Sequence, residues 1–210
     1  MKKLLLLIPV IAFIASCKKD KVEDCTCPAP APTVVTPAND YFKLAVGNYW
    51  VYDNVKIDTL GVETVLSTTD SAYVSGTTVV HGNTYYNLFD FYYTILLRDS
   101  SGYMIDTNSV IHFTTQVFDV PVAFSYLPGN IGYTESMTVR TPVSVIVPAG
   151  TFTSYDWKVT LHNMNPGYQW GNTRYSHDYY SAGIGKVKQE YFYYSQPDHY
   201  ERRLTHYHVQ

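Results

Sequence analysis

The sequence predicts an all-β protein: a single antiparallel, strongly curved sheet forming a half-barrel or barrel-like sandwich, with few or no helices. Three observations carry this. From position 40 onward, short runs rich in Tyr, Val, Thr and Phe alternate with turn residues about every 8–12 residues, the rhythm of a meander. The 210-residue chain holds 21 tyrosines and 9 phenylalanines, and aromatic and β-branched residues suit a pleated, half-buried surface. Apolar residues do not recur at helical spacing over any long window. Val139, Thr141, Val143, Val145 and Val147 alternate with Arg140, Pro142, Ser144 and Ile146, so one face is apolar and the other mixed. A bent sheet that closes or half closes buries such faces without a second layer.

Taken in order, the first element is not part of that sheet. Lys2-Lys3, an apolar run over 4–14 and the small residues Ala15-Ser16 describe a secretory signal, too short to span a bilayer. Cys17 follows Ile14-Ala15-Ser16 directly, which resembles the lipobox of bacterial lipoproteins. The resemblance implies cleavage before Cys17 and acylation of its sulfur and new amine, and several acyl chains at ~0.8 kcal/mol per buried CH2 anchor firmly. Residues 1–16 are thus expected to be removed, 17–39 to form a lipidated cysteine and Pro-rich tether, and 40–210 to form the β domain. Lys18 rather than Asp follows the cysteine, which favours an outer-membrane lipoprotein. The mixed charges over 18–24 leave periplasmic and surface-facing orientations open.

Within the tether, Pro28, Pro30 and Pro32 alternate with alanine, a pattern that favours extended polyproline II and a semi-rigid spacer. Cys25 and Cys27 sit one residue apart, where a bridge is strained, so free thiols, intermolecular pairing or a labile bridge are expected. The domain itself has no cysteine and depends on its core.

The predicted strands then follow: 49–57, ended near Gly61; 62–66 and 72–80, broken again at Gly76 and His81-Gly82-Asn83; 85–91 and 93–98, with Asp99-Ser100-Ser101-Gly102 as a hairpin turn into 103–105. Shorter apolar runs cover 110–118 and 121–124 before the breaker cluster Leu127-Pro128-Gly129-Asn130-Ile131-Gly132. Strands resume over 134–147, 151–161, 174–181, 185–194 and 200–209, with Pro148-Ala149-Gly150 as a tight turn.

Three stretches form a recognisable set. They are Leu44-Ala45-Val46-Gly47-Asn48-Tyr49-Trp50, then Val147-Pro148-Ala149-Gly150-Thr151-Phe152, then Tyr180-Ser181-Ala182-Gly183-Ile184-Gly185-Lys186-Val187-Lys188. Together they resemble an uncharacterised family of Bacteroidetes lipoproteins. That group in turn is distantly similar to the curved half-barrels of lipoprotein carriers such as LolA and LolB, where a concave sheet shelters acyl chains. The resemblance implies a fold and an address; it carries over no binding residues. In physical terms Gly47 and Gly150 sit at turns, Trp50 and Phe152 are expected core anchors, and Gly183-x-Gly185 marks a turn or bulge.

Dedicated chemistry is sparse. The net charge of −3 and a charged fraction of 16 %, below the ~25 % of ordinary globular domains, imply no basic surface for nucleic acid. His206 and His208 share one face of a terminal strand and form a weak metal candidate, with Asp198 or Glu201 as a completing carboxylate. No other metal and no cofactor is expected. No Gly-x-Ser-x-Gly elbow is present, His177 and Asp178 point to opposite faces, and Gly183-Ile184-Gly185 lacks the rest of a dinucleotide loop. The chain reads as a non-enzyme. The tyrosine pairs at 85–86, 92–93, 179–180 and 191–194 alternate faces, so half of each belongs to the core and half is free to stack on sugars or line a lipid groove. Two functions therefore stay open: a membrane-tethered module that holds a small apolar or glycan ligand, or an interaction subunit of an envelope complex with no small ligand.

Overall fold

The computed structural model describes residues 36–165, 167–169 and 171–210, without the side chain at position 67. The expected signal, Cys17, Cys25, Cys27 and the tether up to position 35 lie outside the described residues.

The chain opens with a helical turn, α1 (Asn39–Phe42), followed by β1 (Tyr49–Ile57), β2 (Glu63–Val80), β3 (Asn83–Asp90), β4 (Tyr93–Ser100), β5 (Tyr103–Asp106) and β6 (Ile111–Thr114). After β7 (Ala123–Tyr126) and a short 3-10 turn at Pro128–Asn130 come β8 (Gly132–Thr138), β9 (Val143–Val147), β10 (Gly150–Asn163), β11 (Thr173–Ser181), β12 (Gly185–Phe192) and β13 (His199–His208). All pairs are antiparallel. Twelve strands run in the order β6-β5-β4-β3-β2-β1-β13-β12-β11-β10-β8-β7, with β9 on β10 off that path. The all-β class and the strong curvature are thus as the sequence predicts.

One end strand, β6, meets β8, the strand next to the other end, at a seam. Thr138 Oγ1 on β8 donates 2.6 Å to the Thr114 carbonyl on β6, and both residues are fully buried. The curvature has local causes, because an extra residue in one strand of a pair kinks it and increases its twist. Register shifts lie between Val51 and Tyr52, Asp53 and Val55, Val74 and Gly76, Met104 and Ile105, and Tyr179 and Tyr180.

Several strand bounds differ from expectation. The predicted break over 67–71 is absent, and Gly76 is absorbed as an irregularity opposite Asn87, so β2 runs unbroken. The predicted strand 134–147 divides instead: β8 pairs with the second half of β10 and β9 with its first half. Pro142 brings no N–H to a ladder, and Arg140 leaves it to bond Asp119 through both its backbone N–H and its guanidinium. The run 110–118 holds a strand only over Ile111–Thr114.

The three sequence motifs have structural roles. Asn48, fully buried, donates from Nδ2 to the Lys43 carbonyl at 2.7 Å and accepts from the Gln210 N–H at 3.0 Å, pinning the start of the domain to the end of its last strand. Pro148 and Ala149 form a two-residue loop between β9 and β10, and the Ala149 N–H reaches the Leu204 carbonyl at 2.9 Å. Trp50 is a core anchor, while Phe152 packs only partly buried at its margin. Gly185, with φ near 110°, lies so close to Trp50 that a Cβ there would stand 2.7 Å from the indole nitrogen. That nitrogen donates 2.7 Å to the Ile184 carbonyl.

The concave side is the core, and the chain fills much of it with its own first turn. Residues 36–39, the end of the expected tether, already lie on the domain: Ala38 is fully buried and Thr115 Oγ1 donates to the Thr36 carbonyl. This positions α1 inside the cup. Phe42 stacks on Tyr180 with centroids 4.5 Å apart, and Tyr41 and Phe42 both flank Phe113, itself fully buried.

Candidate functional site

Beside α1 the cup retains a cavity of about 210 Å³. At ~30 Å³ per water that is room for about seven waters, and it lies below the ~300–1,000 Å³ typical of drug-sized pockets. Its size suits one ring-sized ligand. Phe42, Leu97, Trp157 and Tyr180 give it an apolar wall; Asp90, Asp178, Lys186 and Gln189 give it a polar one; Phe91, Tyr93 and Tyr191 also line it. Tyr93 is 61 % exposed and marks the mouth. A narrow recess of about 20 Å³ continues inward past Trp50, Tyr52 and Ala72.

The polar wall is a charge network drawn from five strands. Arg202 on β13 is fully buried; its guanidinium grips Asp70 at 2.7–3.1 Å and donates to Asp90 Oδ1 at 2.8 Å and Gln189 Oε1 at 2.9 Å. Lys186 Nζ lies 3.0 Å from Asp90 Oδ2 and 3.3 Å from Asp178 Oδ2. Two cations thus face three carboxylates. Among the described residues Asp178 accepts through Oδ2 and Gln189 through Oε1, which leaves Asp178 Oδ1 and Gln189 Nε2 to a ligand, beside His112, Tyr93 and Tyr191 on the same lining.

The field inside this network fixes the protons of Asp90, Lys186, Tyr52 and Tyr180. Burial pushes the Asp90 carboxyl up, but Lys186 and Arg202 outweigh it and hold it at about 2, ionised at neutral pH. Burial pulls the Lys186 ammonium down, and Asp178 and Asp90 more than restore it, so it stays charged. Burial raises the phenols of Tyr52 and Tyr180 well above their ordinary value. Both remain neutral; the Tyr52 hydroxyl donates to the Lys186 carbonyl at 2.9 Å.

A bulge delivers Lys186 to the cavity. Tyr180 stands opposite Lys186 and Tyr179 opposite Lys188, leaving Val187 as the extra residue on β12. Directly opposed residues share a face, so Lys186 joins Tyr180 on the concave side while Lys188 joins Tyr179 on the convex side. A regular strand would aim both lysines the same way.

The convex side carries its own pair. His177 Nδ1 meets both oxygens of Asp156 at 2.9–3.0 Å, and its ring stacks on Tyr179 with Tyr175 tilted against it at 6.5 Å. The hydrogen bond to Asp156 raises the imidazole pKa against the opposing effect of burial. The partner of His177 is therefore Asp156 across the ladder, not its neighbour Asp178, which faces the cavity.

His206 and His208, the weak metal candidate, lie exposed on β13 opposite Val51 and Tyr49. His206 Nδ1 sits 3.1 Å from Thr205 Oγ1 and His208 stacks on Tyr49. The carboxylates expected to complete the site are engaged elsewhere: Asp198 with Lys56 at 2.8 Å, Glu201 with Lys188 at 2.7 Å. Among the described residues no group of three or more His, Cys, Asp or Glu is gathered. Sequence reasoning missed Asp70, Asp90, Gln189 and Arg202 altogether, and weighed Asp178 only as the neighbour of His177. The one available signal was Lys186 inside the Gly-x-Gly-x-Val-Lys stretch.

No family model and no curated protein matches the chain. Two crystal structures are similar over 80 % of this chain and 98 % of their own. One is a protein inferred to be exported, with a YmcC-like fold, from Bacteroides fragilis, at 15 % identity and a TM-score of 0.45. The other is a protein inferred to be a lipoprotein from Parabacteroides distasonis, at 14 % identity and a TM-score of 0.42. Likeness at this distance carries no functional argument. The class is defined by the chain's own features: a nearly closed antiparallel β cup, plugged by its first helical turn, with a charged and aromatic cavity beside the plug.

Proposed function

We propose that the protein is an exported, lipid-anchored envelope protein whose cup holds, without turning over, a small hydroxyl-rich ligand of saccharide type. The cavity carries this reading. Aromatic rings on one wall offer faces to the C–H side of a sugar, and Asp178, Gln189 and Lys186 on the other offer hydrogen bonds to hydroxyls, the charged ones worth ~1.5–3 kcal/mol each. An acyl chain fits less well, since it would press against three ionised groups whose desolvation it could not compensate. The lysine pair, apolar run and Cys17 support the envelope address.

The binding test is calorimetric titration of the protein with glucose, galactose, mannose and N-acetylglucosamine. At least one is expected to bind, and Asp178→Asn is expected to weaken it about ten-fold, equivalent to ~1.4 kcal/mol. Silence across the whole panel sinks the saccharide reading. The anchor is tested by growing cells on labelled palmitate: label is expected on the native protein and absent from Cys17→Ser.

One observation favours the second reading, an interaction subunit. Strand β7 ends the sheet, its outer edge has no ladder partner among the described residues, and Phe124 and Tyr126 on it are 64 % and 76 % exposed. Such an edge accepts an added strand from a partner. Photo-crosslinking from position 126 in cells that captures one envelope protein, together with failure of every sugar, would establish it.

A further inference from the structure

The two-residue loop between β3 and β4 is built unusually. Phe91, its first residue, has φ of 64°, a conformation that suits glycine or asparagine and strains a bulky side chain. Such strain costs of order 1–3 kcal/mol and persists only where the surroundings over-determine it. Here they do. The Phe91 ring lines the cavity, the buried Arg202 guanidinium lies 5.1 Å from its centre, and Tyr191 meets it edge-on at 5.3 Å.

From Phe91 an aromatic ribbon leads out of the cavity. Tyr92, 75 % exposed, packs on Phe91 at 4.4 Å; Tyr191 stacks on Tyr200 at 5.5 Å; Tyr193, 44 % exposed, meets Tyr200 at 5.0 Å. The loop that carries Tyr193 is fixed from beneath. Arg174 donates to the carbonyls of Tyr193, Gln196, Pro197 and Asp198 at 2.6–3.4 Å, and Lys56 pairs with Asp198. Rings held this way lose little freedom on binding, which is what a contact surface needs to convert area into affinity.

We propose that the ligand is a saccharide chain, with one unit in the cavity and the following units laid along Phe91, Tyr92, Tyr191, Tyr193 and Tyr200. This rests on the saccharide reading above and adds its length. The phenol tips of Tyr92 and Tyr193 supply hydrogen bonds that an apolar ribbon would lack, and ring stacking tolerates different linkages. The ribbon explains why a strained phenylalanine, rather than glycine, occupies the mouth.

The test compares the best monosaccharide of the panel with its linear tetrasaccharide on the full-length protein. The tetrasaccharide is expected to bind at least ten-fold tighter. Tyr92→Ala and Tyr193→Ala are each expected to weaken the tetrasaccharide about two- to ten-fold and to leave the monosaccharide unchanged. Tyr92→Ala, at a site 75 % exposed, is expected to leave the melting temperature unchanged while weakening the tetrasaccharide, which separates lost binding from lost folding. Equal affinity for both sugars overturns the ribbon and leaves the cavity reading standing. Failure of both sugars overturns the cavity reading itself.

Discussion

Arg202→Met is the sharpest probe of how this cup is held together. The guanidinium makes five hydrogen bonds, three to Asp70 and one each to Asp90 and Gln189, and lies 4.4 Å over the Tyr52 ring. Methionine keeps most of the stem's packing and removes the charge. Asp70, whose side chain is only 14 % exposed, is then left without its cation, and Asp90, 17 % exposed, keeps Lys186 alone. Stranding a buried charge costs ~3–5 kcal/mol, a large share of the ~5–15 kcal/mol that stabilises a domain. At ~2–4 °C per kcal/mol for a domain of 150–250 residues, the melting temperature should fall by about 6–20 °C. Urea unfolding followed by tryptophan fluorescence measures the loss directly. A triple change that also converts Asp70 and Asp90 to Asn should recover part of it, because the penalty lies in the unpaired charges. A loss under about 1 kcal/mol, the level of an exposed ion pair, would refute the buried-network argument.

Other outcomes follow from the same geometry. Because the Asp90 carboxyl is held at about 2, below its unfolded value near ~3.9, its pairing stabilises the fold above that value. That contribution, about 2–3 kcal/mol, is lost as pH falls through about 2; Asp90→Asn should flatten the acid limb of a stability-against-pH curve. Gly185→Ala places a Cβ against the Trp50 indole at a φ that disfavours side chains, and should cost roughly 1–3 kcal/mol by chemical denaturation. Asp156→Asn removes the carboxylate whose charge-assisted bond raises His177. The imidazole should then titrate at lower pH by NMR, and the stability the pair adds below the ordinary histidine pKa, which fades as pH rises through the folded value, should disappear.

The fold was legible and the site was not, for reasons visible in single residues. Turn chemistry is local, so Ser101-Gly102, both at positive φ, and Pro148-Ala149 fall where the sequence places them. Strand breaks were less legible, since Gly76 inside a strand reads as a terminator, whereas the paired strands on either side absorb it. The buried charges were hidden by the same periodicity that reveals the core. Asp90, Asp178 and Lys186 look like ordinary solvent-facing positions until the sheet curls them inward.

The sequence by itself determined the class, one antiparallel curved sheet, because alternation, turn residues and tyrosine content are properties of neighbours along the chain. It also determined the expectation of an envelope address at Cys17. Only the tertiary structure decided what the concave face holds. The bulge at Val187 sends Lys186 inward and Lys188 outward, and closure of the sheet brings Asp70, Asp90, Asp178 and Arg202 within bonding distance across up to 132 positions of sequence. Such contacts depend on register and curvature, which arise from all the strands together and are written in no one of them.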